Sequence, residues 1–195
     1  MATRRTTLIA GAAALCAPLA GCGTAVVTQY YRIAPTPGAV DRTVHANIAL
    51  RPIIIPSYLN QSGLPKPSSR TSFATFDDNQ WAGSLTDLLR ISMVQNLAQR
   101  LPYATVIGGG GAIDLPDSLI IEINILTFDP DATGQITLDA DVSIKPQTSQ
   151  HRQTRLIHLR SPTNGTTPTQ IAAAMSAVWG DFATQIATLL APGHA

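Results

Sequence analysis

"SLIIEINILTFDPDATGQITLDADVSI", residues 118–144, decides the fold class. In its second half Ile136, Leu138, Ala140, Val142 and Ile144 alternate with Gln135, Thr137, Asp139, Asp141 and Ser143. Successive side chains of a strand point to opposite faces, so a period of two describes a sheet with one face buried and the other wet. The first half, 118–128, is apolar on nearly both faces, which fits a central strand. Asp129-Pro130-Asp131-Ala132-Thr133-Gly134 between them has turn chemistry.

Outward from this pair, 154–160 predicts a further strand after a polar turn at 146–153, and 104–107 a short one. Residues 46–55 form another strand candidate, in which Pro52 lacks a backbone donor and favours an edge or a bulge. Tyr30-Tyr31-Arg32-Ile33 fits a short edge strand followed by a Pro/Gly turn or linker, and 60–72 reads as loop. Apolar residues at 81, 85, 88, 91, 94, 97, 98 and 101 predict a helix from Trp81 to Leu101, with Asp77, Asp78 and Asn79 as capping candidates and Pro102 as its stop. A second helix starts at Thr167-Pro168-Thr169-Gln170, a capping box with proline at the first helical position. Its stripe is Ile171, Met175, Val178, Trp179, Phe182, Ile186 and Leu189. The expected fold is α+β: a single mixed, mainly antiparallel sheet with two long amphipathic helices packed against it.

The N-terminus has a different logic. Arg4 and Arg5 precede a run from Leu8 to Ala20 in which every residue is apolar or small. A charged region, an apolar region and small residues in that order describe a removed export signal, and the run is too short to cross a bilayer. The arginine pair admits both the general secretory and the twin-arginine route. Leu19-Ala20-Gly21-Cys22 resembles a bacterial lipobox, in which the thiol receives a diacylglycerol and cleavage falls between Gly21 and Cys22. Two or more acyl chains would then hold the chain to a membrane, since each buried methylene contributes about 0.8 kcal/mol. Gly23, in place of the Asp that favours inner-membrane retention in the better-known bacteria, points to the periplasmic face of the outer membrane. The organisation expected is a signal peptide at 1–21, an acylated N-terminus with edge strand and linker at 22–45, and one α+β domain at 46–192.

Cys16 and Cys22 are the only cysteines. Cys16 leaves with the signal, so the exported domain has neither free thiol nor disulfide and depends on an ordinary core. The signal takes two of 13 basic residues and none of the 12 acidic ones, leaving a charge near −1. A nucleic-acid-binding domain wants a concentrated positive face, which is missing. With 13% charged and 45% hydrophobic residues, the chain has surface to spare for apolar partner contact.

Catalytic and metal patterns are weak. His45, His151, His158 and His194 are scattered, without the spacing of a metal site. Gly108–Gly111 lacks the Lys-Ser/Thr of a phosphate loop, and no Gly-x-Ser-x-Gly elbow occurs. Asp139 and Asp141 share one strand face, where a solvated surface is favoured over a cation site. Trp81 and Trp179 read as core residues on helical stripes. Pro56, Tyr58 and Leu59, at a strand exit, are the candidate partner-contact residues. No catalytic residue, metal or cofactor is assigned.

The lipobox, Tyr30-Tyr31-Arg32-Ile33, Ile55-Pro56-Ser57-Tyr58-Leu59, Asp78-Asn79-Gln80-Trp81 before a Leu-rich helix, and the long C-terminal helix together resemble the ABC-type transport auxiliary lipoproteins, the paraquat-inducible protein C family. Asn60-Gln61-Ser62-Gly63 departs from the family, which continues that segment with a charged residue and a β-branched run. The resemblance implies a non-enzymatic, lipid-anchored subunit of an intermembrane phospholipid transporter. Its partners would be a substrate-binding protein with mammalian-cell-entry domains and an ABC permease and ATPase, with a homo-oligomer also admitted. The competing readings are a general outer-membrane assembly or envelope-binding lipoprotein and a periplasmic hydrolase, which would need a cleft where a histidine meets Ser or Asp.

Overall fold

The computed structural model describes residues 27–109, 113, 115–149 and 151–192. Gly21, Cys22 and the signal segment lie outside them, as does His194. The chain is α+β, but its strands form two sheets rather than one. The larger contains β2 (Asn47–Leu50), β5 (Thr105–Gly108), β6 (Leu119–Pro130), β7 (Ile136–Pro146) and β8 (Gln153–Ser161), in the order β5-β2-β6-β7-β8. β5, β2 and β6 run parallel, and β6, β7 and β8 antiparallel. The smaller contains β1 (Gln29–Tyr31), β3 (Gly63–Pro65) and β4 (Thr75–Trp81), in the order β1-β4-β3.

The division has a local cause. β2 ends at Leu50 because Pro52 denies the ladder a donor, leaving one isolated bridge from Ile54 to Asn124 before Pro56 turns the chain away. A 3₁₀ turn, Ser57–Leu59, then carries the chain into the small sheet. Residues 60–72, expected to be loop, supply β3 there, with Trp81 N–H donating to Ser62 O at 2.7 Å.

The first helix, α1 (Leu85–Arg100), begins four residues later than the apolar spacing predicts. Asp77, Asp78, Asn79 and Trp81 belong to β4, and Trp81 is buried there rather than on a helix. Ser84 caps α1, its Oγ accepting from Asp87 N–H at 3.2 Å. Ser84-Leu85-Thr86-Asp87 was the usable signal: a hydroxyl followed three residues later by an acid. The buried face is also rotated. Leu85, Leu89, Met93 and Leu97 are in the core with Ser92, Asn96 and Arg100, while Ile91 is 48% exposed.

α2 (Pro168–Leu190) starts as its sequence predicts. Thr167 Oγ1 accepts from Gln170 N–H and Gln170 Oε1 accepts from Thr167 N–H, which closes the capping box. α2 lies across β6, β7 and β8 and against α1. Trp179 sits between Phe128 and Phe182, with ring centroids 5.8 and 5.1 Å apart, and its indole N–H donates to Leu89 O at 3.1 Å. Burying each such side chain contributes about 1.5–3 kcal/mol. The core therefore joins both helices to one face of the large sheet.

Candidate functional site

Because α1 and α2 cover one face only, the parity of β6, β7 and β8 decides which residues remain free. Ile136, Leu138, Ala140 and Val142 are buried under the helices. The opposite face carries Thr137, Asp139, Asp141 and Ser143 from β7, facing Arg160, His158, Leu156 and Thr154 of β8. On the other side β6 presents Glu122 beside Ser143 and Asn124 beside Asp141. This outer face is the candidate functional site.

One end of it is a groove of about 660 Å³ between the sheet and the 66–73 segment. Tyr58 lines it, half-buried, with its ring edge-on to Phe73 at 5.2 Å and its hydroxyl near enough to the Asp129 carboxylate for the two to influence each other. Burial first, then the Asp129 charge, push the Tyr58 phenol above its usual pKa. Burial also raises the Asp129 carboxyl, the Tyr58 hydroxyl opposes the shift, and the Asp139 charge adds to it. Arg160 and Lys66 reach the same groove. Of the three proposed contact residues only Tyr58 lines it. Pro56 is half-buried at the head of the 3₁₀ turn, and Leu59 is buried in the core.

The other end is a pocket of about 600 Å³ lined by Arg51, Ile54, Asn124, Asp141, Ser143 and Arg152, among others. Arg152 reaches Glu122 at 3.1 Å, so this ion pair runs from the start of β8 to β6 across the line of β7. Ser143 Oγ is buried and, among the described residues, has no hydrogen-bond partner. Between the two ends, His158 Nδ1 is bonded to Asp139 Oδ1. A histidine thus meets an acid as hydrolysis would need, but among the described residues no Ser or Thr hydroxyl is bonded to the ring, and no nucleophile is assembled. Among them, too, no three His, Cys, Asp or Glu side chains converge on a metal position. His45 stacks on Tyr103 instead, and His151 is exposed.

A second constellation gives no obvious signal in the sequence. Ile33, expected to end the edge strand, and the linker that follows it to 44 pack against the helices, with Ile33 and Val44 buried. Arg100, 1% exposed, binds this strap. Its Nη1 donates to Thr36 O at 3.1 Å and Asn96 Oδ1 at 3.0 Å, its Nη2 to Pro37 O at 3.4 Å and Gly180 O at 2.9 Å, and its Nε to Thr184 Oγ1 at 2.9 Å. Thr36 N–H in turn donates to Asn96 Oδ1, and Asp41 N–H to Arg100 O. Burial lowers the guanidinium pKa and the Asp181 charge raises it, while neutral oxygens supply every hydrogen bond it makes among the described residues. The i, i+4 spacing of Ser92, Asn96 and Arg100 was the available clue, since three polar residues on one helical line can face inward only if something polar meets them.

Comparison with known proteins places this architecture. The crystal structure of an uncharacterized protein superposes with a TM-score of 0.72 at 18% identity, over 85% of this chain and 99% of that one. Protein XCC0632 from Xanthomonas campestris gives 0.64 at 15% identity, over 82% and 93%. At these identities the likeness establishes the fold. None of the curated proteins compared matches the chain. A family model for the ABC-type transport auxiliary lipoprotein component matches residues 31–187, and the chain belongs to that family.

Proposed function

We propose that this auxiliary lipoprotein is a non-enzymatic docking subunit of an ABC-type intermembrane phospholipid transport system, anchored through acylated Cys22 at the periplasmic face of the outer membrane. The observation that carries the reading is the family match over 31–187, which begins within β1 and leaves Cys22 only a few residues upstream. The segment from Gly23 to Thr28 separates Cys22 from Gln29, the first residue of β1. Even fully extended, a segment of that length spans only about 25 Å at roughly 3.5 Å per residue. The tether is therefore short, and the strap held by Arg100 continues it into the core. A domain leashed this closely presents its outer sheet face at high effective concentration to anything that spans the envelope to reach it. The partner proposed is a protein with mammalian-cell-entry domains that works with the permease and ATPase.

The test is affinity purification of the acylated chain from solubilised envelope, beside a Cys22→Ser variant. The native chain should incorporate an alkyne-palmitate label, fractionate with the outer membrane and bring down the cell-entry-domain protein. The variant should lose label and membrane association. An unlabelled native chain overturns the anchor. A labelled chain that co-purifies reproducibly with other envelope proteins and never with a cell-entry-domain protein overturns the transporter role in favour of a general envelope lipoprotein.

A further inference from the structure

The outer face of β6, β7 and β8 repeats a pattern with one member left out. At the Ser143 level, Glu122 of β6 is neutralised by Arg152, which comes from the β8 side. Two levels along, Asp139 is bonded to His158 of β8. The level between them aligns Ile54, Asn124, Asp141 and Leu156 across four chain segments. Here β8 supplies no cation. Among the described residues Asp141 has no hydrogen-bond or ion-pair partner, and the Asn124 side chain has none either. The flanking side chains are apolar and open to solvent, Ile54 at 63% and Leu156 at 65%. All but Leu156 line the 600 Å³ pocket, together with Arg51, with Arg152 paired to Glu122, and with Ser143, 8% exposed, whose buried Oγ has no partner among the described residues. A half-buried carboxylate and an amide without partners among the described residues, standing between two acids that are paired, are acceptors prepared for a donor from outside.

We propose that this level is a docking site for an arginine side chain of a partner protein. Asp141 and the Asn124 carbonyl oxygen receive the guanidinium, and Ile54, beside Asn124 in the same pocket, receives its methylene stem. Arginine fits better than lysine because the acceptors stand at different positions. A planar fork with five donors can meet a carboxylate through two parallel bonds and still reach a neighbour, whereas an ammonium is a point charge. The apolar Ile54 flank suits a stem that packs while its head is held. Arg152 already shows a guanidinium lying over this face one level away. The proposal rests on the reading that the outer face docks a partner, and it names the group that the partner must bring.

The test needs no partner, so its failure is distinguishable from failure of the transporter reading. The full acylated chain is placed in detergent micelles with isoleucine δ-methyl labelling, and N-acetyl-arginine amide is titrated in while the Ile54 methyl resonance is followed. A saturable shift is expected. Affinity should fall at least fivefold for N-acetyl-citrulline amide, which has the same shape without the charge, and at least fivefold for arginine amide on Asp141→Asn. Since Asp141 has no partner to lose, the variant should keep the remaining methyl spectrum, which serves as the folding control. No saturable shift at Ile54, equal binding of citrulline, or unchanged binding by Asp141→Asn would each overturn the proposal. So would an Ile54 resonance that responds to protein concentration and not to the probe, because a second copy of the chain would then occupy the face.

Discussion

Replacing Arg100 with methionine tests how the N-terminal strap is held. Methionine preserves an unbranched stem inside the core and removes the guanidinium. Asn96 O and Gly180 O belong to helices whose own hydrogen bonding persists, so the main loss falls on the carbonyls of Thr36 and Pro37. Each would face a thioether, and an unsatisfied buried acceptor costs about 1–3 kcal/mol. The strap can escape part of that by lifting into water, at the expense of the buried Ile33 and Val44 side chains, each worth about 1.5–3 kcal/mol. Either route gives a loss of about 2–6 kcal/mol, a large share of the 5–15 kcal/mol typical of a domain. Urea unfolding should show stability fall by that amount. Native-state hydrogen exchange gives a second, local reading. The amides of Thr36 and Asp41, bonded to Asn96 Oδ1 and Arg100 O, should lose protection well before those of β7. A variant within about 1 kcal/mol of the native chain, with Thr36 and Asp41 still protected, would show that the guanidinium does not fasten the strap.

Gly180→Ala should destabilise although alanine is the better helix former by about 1 kcal/mol, because its Cβ would overlap Thr36 Oγ1 and lie 3.0 Å from Thr36 Cβ. Adding Thr36→Gly removes both obstructing atoms, and calorimetry of the double variant should recover most of the loss. Thr167→Ala breaks the capping box of α2 and should lower stability by about 0.5–2 kcal/mol in chemical denaturation, with β-sheet exchange unaffected below global unfolding. Asp129→Asn should change the acid limb of the stability curve. The folded-state pKa of Asp129 is raised, so in the window between it and the unfolded value near 4 the native state holds the extra proton, and native stability rises as pH falls through that window. The Asn variant lacks this gain. It should equal or exceed the native chain at neutral pH, and the difference should shift toward the native chain on acidification. Parallel urea curves at every pH would contradict the assignment.

The α+β class, the strand pair at 118–144 and the capped start of α2 were legible because each is written locally, as a period of two or as side-chain chemistry within one turn. The polar run Asp77-Asp78-Asn79 misled because capping residues and the solvent-facing positions of a strand share the same composition, and only pairing with β1 and β3 assigns them to β4. The division into two sheets was likewise hidden, since Pro52 and Pro56 announce an interruption without saying where the chain goes next. Tyr58 could be singled out by its place at a strand exit, yet its partner Asp129 lies on β6, at the far end of the hairpin.

By itself the sequence determined the long strands at 118–144, the capped start of the last helix and which face of β7 is polar, because backbone preference and side-chain alternation act between near neighbours. Tertiary structure alone decided that Arg100 is buried against the strap, that Leu59 is in the core, and that Asp141 stands between two paired acids with no partner of its own among the described residues. Those outcomes depend on which distant side chain arrives within hydrogen-bonding reach, and chain topology sets that.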